Sequence, residues 1–511
     1  MSWTRRGSLA CSLMVTISLM ALSPAVSRAD QVAPNVVVVI VDDMSFELLS
    51  RMPNVQSLLV NHGVTFSQAF AVDPLCCPSR LSFLRGQYSH TTSEYNVKYT
   101  WGGWSHARSA SLEKETLPVW MHRAGYFTAE EGKYLNGYNQ AGTIPSGWDY
   151  WRAMMTVGYN PGGWSASVQG KKQTPASYST DWIGDQAVAG IQASGSRPLF
   201  MWTAFYGPHN PSTPPARYDT DAEALGCASV DVTALAGFNE RVTDKVDGTT
   251  DKPRWIKNRA AFSASKITSV QHDYVDQCRS LLAVDDAVAR IVGALQVKDP
   301  GLSHSIILFT SDQGVENGVH MQLAKKVPWD ASAKLPFVMR ADGVRGTDGA
   351  ATDNDLVLNI DLAPTILELT GATGSPDCPS GGSIYSQACN AHGGGSDGSS
   401  FAPVLTGAPY APRDAFLIEH WDPVSVTGKV PIYCAVRTKT GLLVRYFADP
   451  AAGPDWEGYD LTTDPDMLHS LVYSRADGVP HFRGAGSSLY GSLYPRLVSL
   501  CYPLPPEYPG F

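Results

Sequence analysis

Residues 35–43 read Asn-Val-Val-Val-Val-Ile-Val-Asp-Asp. Six consecutive β-branched residues leave neither face of a strand polar. Such a run belongs at the centre of a parallel sheet, covered by helices on both sides. The pattern returns at 305–309, which leads into Thr310-Ser311-Asp312, and at 199–205, which leads into Gly207-Pro208-His209. Between these two runs, Leu281, Val284, Val288, Ile291, Val292 and Leu295 recur at helical spacing. Strand, helix and strand in alternation predict an α/β domain with a mostly parallel sheet. All three runs finish in polar residues, and ligands of such sheets collect beyond the carboxyl ends of the strands.

The rest of the chain sets bounds on this picture. Of 511 residues, 43% are hydrophobic and 17% charged, which excludes intrinsic disorder. The net charge of −9 excludes the broad basic field of a nucleic-acid binder, so any positive partners of an anionic substrate are local and few. Residues 1–29 read as a signal peptide: Arg5 and Arg6, a short apolar run over 9–22, then small residues at Ser27-Arg28-Ala29. Its removal takes three arginines and no acids, moving the charge from −9 to −12. No later stretch is long and apolar enough to span a membrane, so a secreted or periplasmic protein is expected. Export permits disulfides. Eight cysteines remain after residue 29, with Cys76 and Cys77 adjacent; Cys378 and Cys389 are the first expected pair, and the other partners are open. Residues 371–400 form a Gly/Ser-rich connector. Short alternating runs after about 410 predict a small antiparallel subdomain over 411–511, following a catalytic domain over 30–410.

Cys76-Cys77-Pro78-Ser79-Arg80 opens an apolar-patterned segment. Pro78 suits a first helical turn, which puts Cys76 at a helix N-terminus, where free N–H groups favour an anion. The plain alternative is a buried cysteine that starts a helix. The stretch resembles the Cys-x-Pro-Ser-Arg motif of type I sulfatases, whose cysteine a separate formylglycine-generating enzyme oxidises to Cα-formylglycine. Leu84-Arg85-Gly86-Gln87 stands where that family usually has Leu-Thr-Gly-Arg. The resemblance implies an alkaline-phosphatase-like fold, a mostly parallel sheet between helices with a small antiparallel α+β C-terminal subdomain. It makes Cys76 the precursor of the nucleophile, Cys77 the variable position and Arg80 a positioning cation.

Asp42-Asp43 and Asp312-Gln313 form an all-oxygen set suited to Ca²⁺ or Mg²⁺ rather than zinc, although acids at strand ends are also ordinary loop residues. The resemblance implies one divalent cation, Ca²⁺ ahead of Mg²⁺, on Asp42, Asp43, Asp312, Gln313 and the modified Cys76. Lys133, His209, His320 and Lys325 follow the family's cationic positions in order. Lys325 precedes Pro336 at the spacing of a sulfate-binding lysine, and the adjacent Lys326 leaves a one-residue ambiguity. Many arylsulfatases carry Gly-Lys-Trp-His where this chain has Gly132-Lys133-Tyr134-Leu135. That departure, the Cys76-Cys77 pair and the 279–286 segment resemble the N-acetylglucosamine-6-sulfatase branch. The resemblance runs from about Asn35 to Asp464-Pro465.

What it implies is an exported hydrolase of a sulfate monoester, that of a sugar or another small molecule. Glucosamine 6-sulfate units, as met in glycosaminoglycan degradation, are the expected substrate. A formylglycine hydrate attacks sulfur, Lys133, Lys325 and the cation neutralise the sulfuryl oxygens, and His209 protonates the departing alcohol. Two rivals stand beside it. One is a phosphomonoester or phosphonate hydrolase of the same superfamily. The other is a non-catalytic carbohydrate-binding relative with Cys76 unmodified, against which the full set of Lys133, His209, Asp312 and Lys325 argues.

Overall fold

The computed structural model of the chain describes residues 1, 33–98, 100–218, 226–239, 252–257, 260–346, 349–372, 396–422, 430–448, 455–474, 478–502 and 504–505. In chain order, the elements that build the site are β1 (Asn35–Val41), α1 (Cys76–Arg85), β2 (Phe127–Gly132), β3 (Tyr150–Thr156), α2 (Ser179–Ala193), β4 (Leu199–Ala204), α3 (Ala264–Lys298), β5 (Ser305–Ser311) and β6 (Phe337–Arg340). They form the middle of a ten-stranded sheet in the order β6-β5-β1-β4-β2-β3, with short strands added at both edges. The five strands from β5 to β3 are parallel, and β6 closes one side antiparallel. Every residue of β1 is buried, as its unbroken run of β-branched side chains requires.

The two faces of β1 meet different helices. Val37, Val39 and Val41 join one core with Ile183 of α2 and Leu281, Val284 and Val288 of α3. Each valine removed so fully from water contributes about 1.5–3 kcal/mol, which is why the 35-residue helix α3 stays on this face. On the other face Trp202, the register partner of Val38, packs edge-on against Phe83 of α1. All ten residues of α1 are buried. The helix ends at Gly86, whose φ of 69° is the left-handed cap that glycine adopts without strain.

The C-terminal part supplies a six-stranded antiparallel sheet: β7 (Phe416–His420), β8 (Ile432–Arg437), β9 (Gly441–Ala448), β10 (Asp455–Asp460), β11 (Val472–Ser474) and β12 (Pro480–Phe482). Helix α4 (Gly486–Cys501) packs on it and is tied to β8 by the Cys434–Cys501 disulfide. A second disulfide, Cys227–Cys278, pins a loop to α3. Residues Pro34–Phe511 form one compact unit. The Glu419 N–H donates to the Val72 carbonyl at 2.8 Å, which fastens β7 to the segment just ahead of α1. The expected export signal and the Cys378–Cys389 pair lie outside the described residues. Among the described residues, no helix is long and apolar enough to cross a membrane.

Candidate active site

Parallel register gathers the polar strand ends. Val41 pairs with Ser311, so Asp42 emerges beside Asp312; Gly132 pairs with Ala204, so Lys133 emerges beside Phe205. Gly132 has a φ of 109°, and a Cβ there would collide with the Ala204 carbonyl, so only glycine lets Lys133 leave the sheet at this point.

Helix α1 presents its first residue to this edge. Lys325 Nζ donates to Cys76 Sγ at 2.9 Å, the Gln313 amide lies 3.5 Å from it, and Asp42 Oδ1 lies 3.6 Å from it. Lys133 pairs with Asp42, and Lys325 with Asp43. His209 Nε2 is 3.5 Å from Asp43 Oδ2. The other side of that imidazole is held by Tyr206, whose hydroxyl is 3.3 Å from Nδ1 and whose ring stacks on it at 5.1 Å. Asp312 is held from behind. Arg80 Nε donates to its Oδ2 at 2.8 Å, while its Oδ1 accepts the N–H groups of Asp43 at 3.2 Å and Gln313 at 3.0 Å. Arg80 also lies 3.7 Å from Asp42 and donates to the Lys133 carbonyl, so it fixes the acids and the lysine turn together.

The charges are strongly coupled. Burial raises the Asp42 carboxyl, but Lys133, His209, Arg80 and Lys325 together hold it far below the usual carboxylate range. Burial would lower the two lysines; Asp42 keeps Lys133 above its ordinary value and Asp43 does the same for Lys325. Burial pushes the Cys76 thiol up to about 11, against the pull of Lys133 and Lys325. Burial also lowers His209, with Asp43 and Asp42 opposing.

The residues fit a hard cation. Asp42, Asp43, Cys76 and His209 each place one ligand atom within 4.8 Å of the others. Gln313 meets Asp43 through its amide nitrogen, and its Oε1 is buried without a hydrogen-bond partner. Two carboxylates and an orphaned amide oxygen are what Ca²⁺ or Mg²⁺ accepts.

The fold also decides which predicted residues meet. Lys325 reaches Cys76; Lys326, at a φ of 79°, turns away and pairs with Asp422 at 2.9 Å. Asp42, Asp43, Arg80, Lys133, His209, Asp312 and Gln313 assemble around Cys76. His320 is placed elsewhere. Left-handed backbone at His320 and Met321 directs its ring onto Trp329, 4.4 Å away, and it lines a cavity that Cys76, Lys133 and Lys325 do not. Leu135 and Cys77 are buried, and Cys77 forms no disulfide. Sequence reasoning missed Tyr206, although it stands directly ahead of Gly207-Pro208-His209. It also missed Ser79, which donates to the Asp312 carbonyl and accepts from Asn359 Nδ2 at 3.0 Å.

The chain is similar to known proteins. The sulfatase family profile matches residues 34–372, and the profile described as N-sulphoglucosamine sulphohydrolase, C-terminal, matches 318–478. The chain is 30% identical over 486 residues to an N-acetylglucosamine-6-sulfatase of Capra hircus, covering 86% of this chain and 80% of that one. It is 30% identical over 388 residues to an arylsulfatase of Volvox carteri, covering 70% of this chain and 59% of that protein, so it spans less than two thirds of the algal relative. A solved structure in complex with its substrate D-glucosamine-2-N,6-O-disulfate superposes with a TM-score of 0.68 at 20% identity, over 91% of this chain and 96% of that one. A phosphonate monoester hydrolase from Silicibacter pomeroyi superposes with a TM-score of 0.61 at 17% identity, over 91% and 94%. Both superpositions show a shared fold. With the acid pairs, the Cys-x-Pro-Ser-Arg helix and the two lysines in one buried cluster, and the family profile across most of the chain, the protein belongs to the type I sulfatases, close to the N-acetylglucosamine-6-sulfatase branch.

Proposed function

We propose that the protein hydrolyses sulfate monoesters of sugars, glucosamine 6-sulfate units foremost, after Cys76 has been converted to formylglycine. One observation carries the reading: Lys325, Lys133, His209 and two carboxylates converge on a single buried cysteine at a helix N-terminus. The likeness to N-acetylglucosamine-6-sulfatases supports the sugar class.

Asp42, Asp43, Asp312 and Gln313 would hold the cation, Ca²⁺ or Mg²⁺, which supplies Lewis acidity toward sulfuryl and hydroxyl oxygens. Formylglycine at position 76 would supply a hydroxyl nucleophile toward sulfur when hydrated. The chain's own residues do the rest. Lys325 and Lys133, each anchored on a carboxylate, offer fixed positive charge to the sulfuryl oxygens without reorganising. His209 is partly exposed at the mouth, and its Nε2 gives a proton to the departing alcohol while Tyr206 fixes the ring. Arg80 keeps Asp312 and the Lys133 turn in place. His320 contributes through its packing on Trp329. Residues 1–29 serve as the export signal, with maturation by a formylglycine-generating enzyme and a secreted or periplasmic destination; 30–410 make the catalytic domain and 411–511 the small subdomain.

The test is release of inorganic sulfate from N-acetylglucosamine 6-sulfate by metal-loaded protein co-produced with a formylglycine-generating enzyme. Peptide mapping of the 76–80 segment runs alongside. Sulfate release with an aldehyde at Cys76 is the expected result. Turnover of phosphate or phosphonate monoesters alone would overturn the reading.

A further inference from the structure

Three tyrosines stand in file behind His209. The His209 ring stacks on Tyr206 at 5.1 Å, the Tyr206 ring lies 4.9 Å from that of Tyr159, and Tyr159 stacks on Tyr178 at 5.9 Å. These spacings are those of packed aromatic pairs. All three tyrosines are buried in the core that β1, α2 and α3 share. They come from separate elements. Tyr206 follows β4, Tyr159 stands three residues beyond β3, and Tyr178 directly precedes α2.

Their hydroxyls hold the segment that carries His209. Tyr159 donates to the His209 carbonyl at 2.7 Å, and Tyr178 donates to the Thr213 carbonyl at 2.9 Å. The Ser212 hydroxyl donates to the Pro208 carbonyl and lies 3.4 Å from that of His209. Toward the sheet, the Gly207 carbonyl accepts the Asp42 N–H at 3.3 Å. Tyr159 is itself fixed through its backbone, because its carbonyl accepts the Ser179 N–H at 2.9 Å in the first turn of α2.

Tyr159 therefore touches both supports of the imidazole. Its hydroxyl holds the backbone from which the ring springs, and its ring backs Tyr206, whose hydroxyl lies 3.3 Å from Nδ1. A phenol can give or accept a hydrogen bond, so the Tyr206 contact survives a change in the ring's protonation. Tyr206 also carries Lys133 Nζ over its ring at 5.8 Å, so it borders the sulfuryl-binding charge as well as the acid. We propose that Tyr159 is a positioning residue for proton delivery to the leaving group, acting through the His209 backbone and the Tyr206 ring to keep Nε2 aimed at the departing oxygen. The inference rests on His209 being the leaving-group acid. A misplacement of about 1 Å can cost about 100-fold in rate, and the loss of one hydrogen bond among several supports should cost less, about tenfold.

The test is Tyr159→Phe, which removes the hydroxyl and keeps the ring. On metal-loaded protein of matched aldehyde content, kcat/KM should fall by about tenfold on N-acetylglucosamine 6-sulfate and by less than about twofold on nitrophenyl sulfate. Added to His209→Ala, the same change should cost less than about twofold more, since no acid is left to position. A further readout needs no turnover. The His209 ring signals in NMR spectra of histidine-labelled protein, identified by their loss in His209→Ala, should shift or broaden in Tyr159→Phe. Equal losses on the two substrates, a further tenfold loss in the double variant, or unmoved ring signals would overturn the proposal and leave Tyr159 a packing residue. Equal losses for His209→Ala itself would instead overturn the acid reading, and the proposal with it. If thermal unfolding shows Tyr159→Phe to be misfolded, Tyr206→Phe goes through the same comparisons, with the same split expected and equal losses again overturning the proposal.

Discussion

His209→Ala separates leaving-group chemistry from sulfate binding. The structure gives His209 two neighbours, Asp43 at 3.5 Å from Nε2 and the Tyr206 hydroxyl at 3.3 Å from Nδ1, and leaves the side chain partly exposed. If it protonates the departing oxygen, its loss matters in proportion to the basicity of that oxygen. General acid catalysis is worth about 10²–10⁴-fold, or roughly 2.7–5.5 kcal/mol, and a sugar alkoxide needs all of it. A nitrophenolate leaves nearly unaided, so the same variant should lose less than about tenfold on nitrophenyl sulfate. Lys325→Ala provides the contrast. Its ammonium lies 2.9 Å from Cys76 Sγ, where a full unit charge would feel about 6 kcal/mol at an effective dielectric near 20. A charge change of roughly half a unit on the sulfuryl group then costs about 3 kcal/mol, or about 100-fold, on both substrates alike. The assay is kcat/KM for two variants on two substrates, using metal-loaded protein with the aldehyde content of each sample measured. Equal losses for His209→Ala on the two substrates would refute the reasoning and reduce His209 to a sulfate-positioning group.

Other outcomes follow from the same geometry. Chelation should abolish turnover, with Ca²⁺ or Mg²⁺ restoring it; recovery with Zn²⁺ alone would contradict the oxygen-rich ligand set. Peptide mapping should find the aldehyde at Cys76, Cys76→Ala should be inactive, and Cys77→Ser should keep most activity; an aldehyde at Cys77 would reverse the assignment. Glu457 is buried among the hydroxyls of Tyr446 and Tyr459, and burial raises its carboxyl to about 7. Its folded value lies above its unfolded one, so its stabilising contribution is complete below about pH 4.5 and disappears as pH rises through about 7, a swing of roughly 3 kcal/mol. Urea unfolding should show Glu457→Gln gaining on wild type between about pH 5 and pH 8, and a constant difference would exclude Glu457 as the source. Cys434 and Cys501 close a 67-residue loop, so reducing that bridge should cost about 4 kcal/mol of stability, read from the denaturation midpoint; an unchanged midpoint would show that the bridge constrains nothing.

The sequence by itself determined the local elements and their chemistry. Six β-branched residues at 36–41 suggest a strand buried on both faces, and Pro78 in a first helical turn puts Cys76 at a helix N-terminus, as β1 and α1 show. The alternating runs at 433–437 and 441–446 likewise announced an antiparallel sheet. Those readings hold because periodicity and turn chemistry act within a few residues of the chain. Tertiary structure decided everything that depends on approach across the sheet. Adjacent lysines look alike in sequence, yet the backbone turn sends Lys325 to Cys76 and Lys326 to Asp422. His320 matched the spacing of a cationic position, but two left-handed residues carry it onto Trp329. Arg80 found its partner in Asp312, 232 residues away, because parallel register sets Asp312 beside Asp42 above the first turn of α1. The two described disulfides, and the docking of β7 on Val72, were equally invisible, since no local pattern encodes which distant segments a folded chain brings within bonding distance.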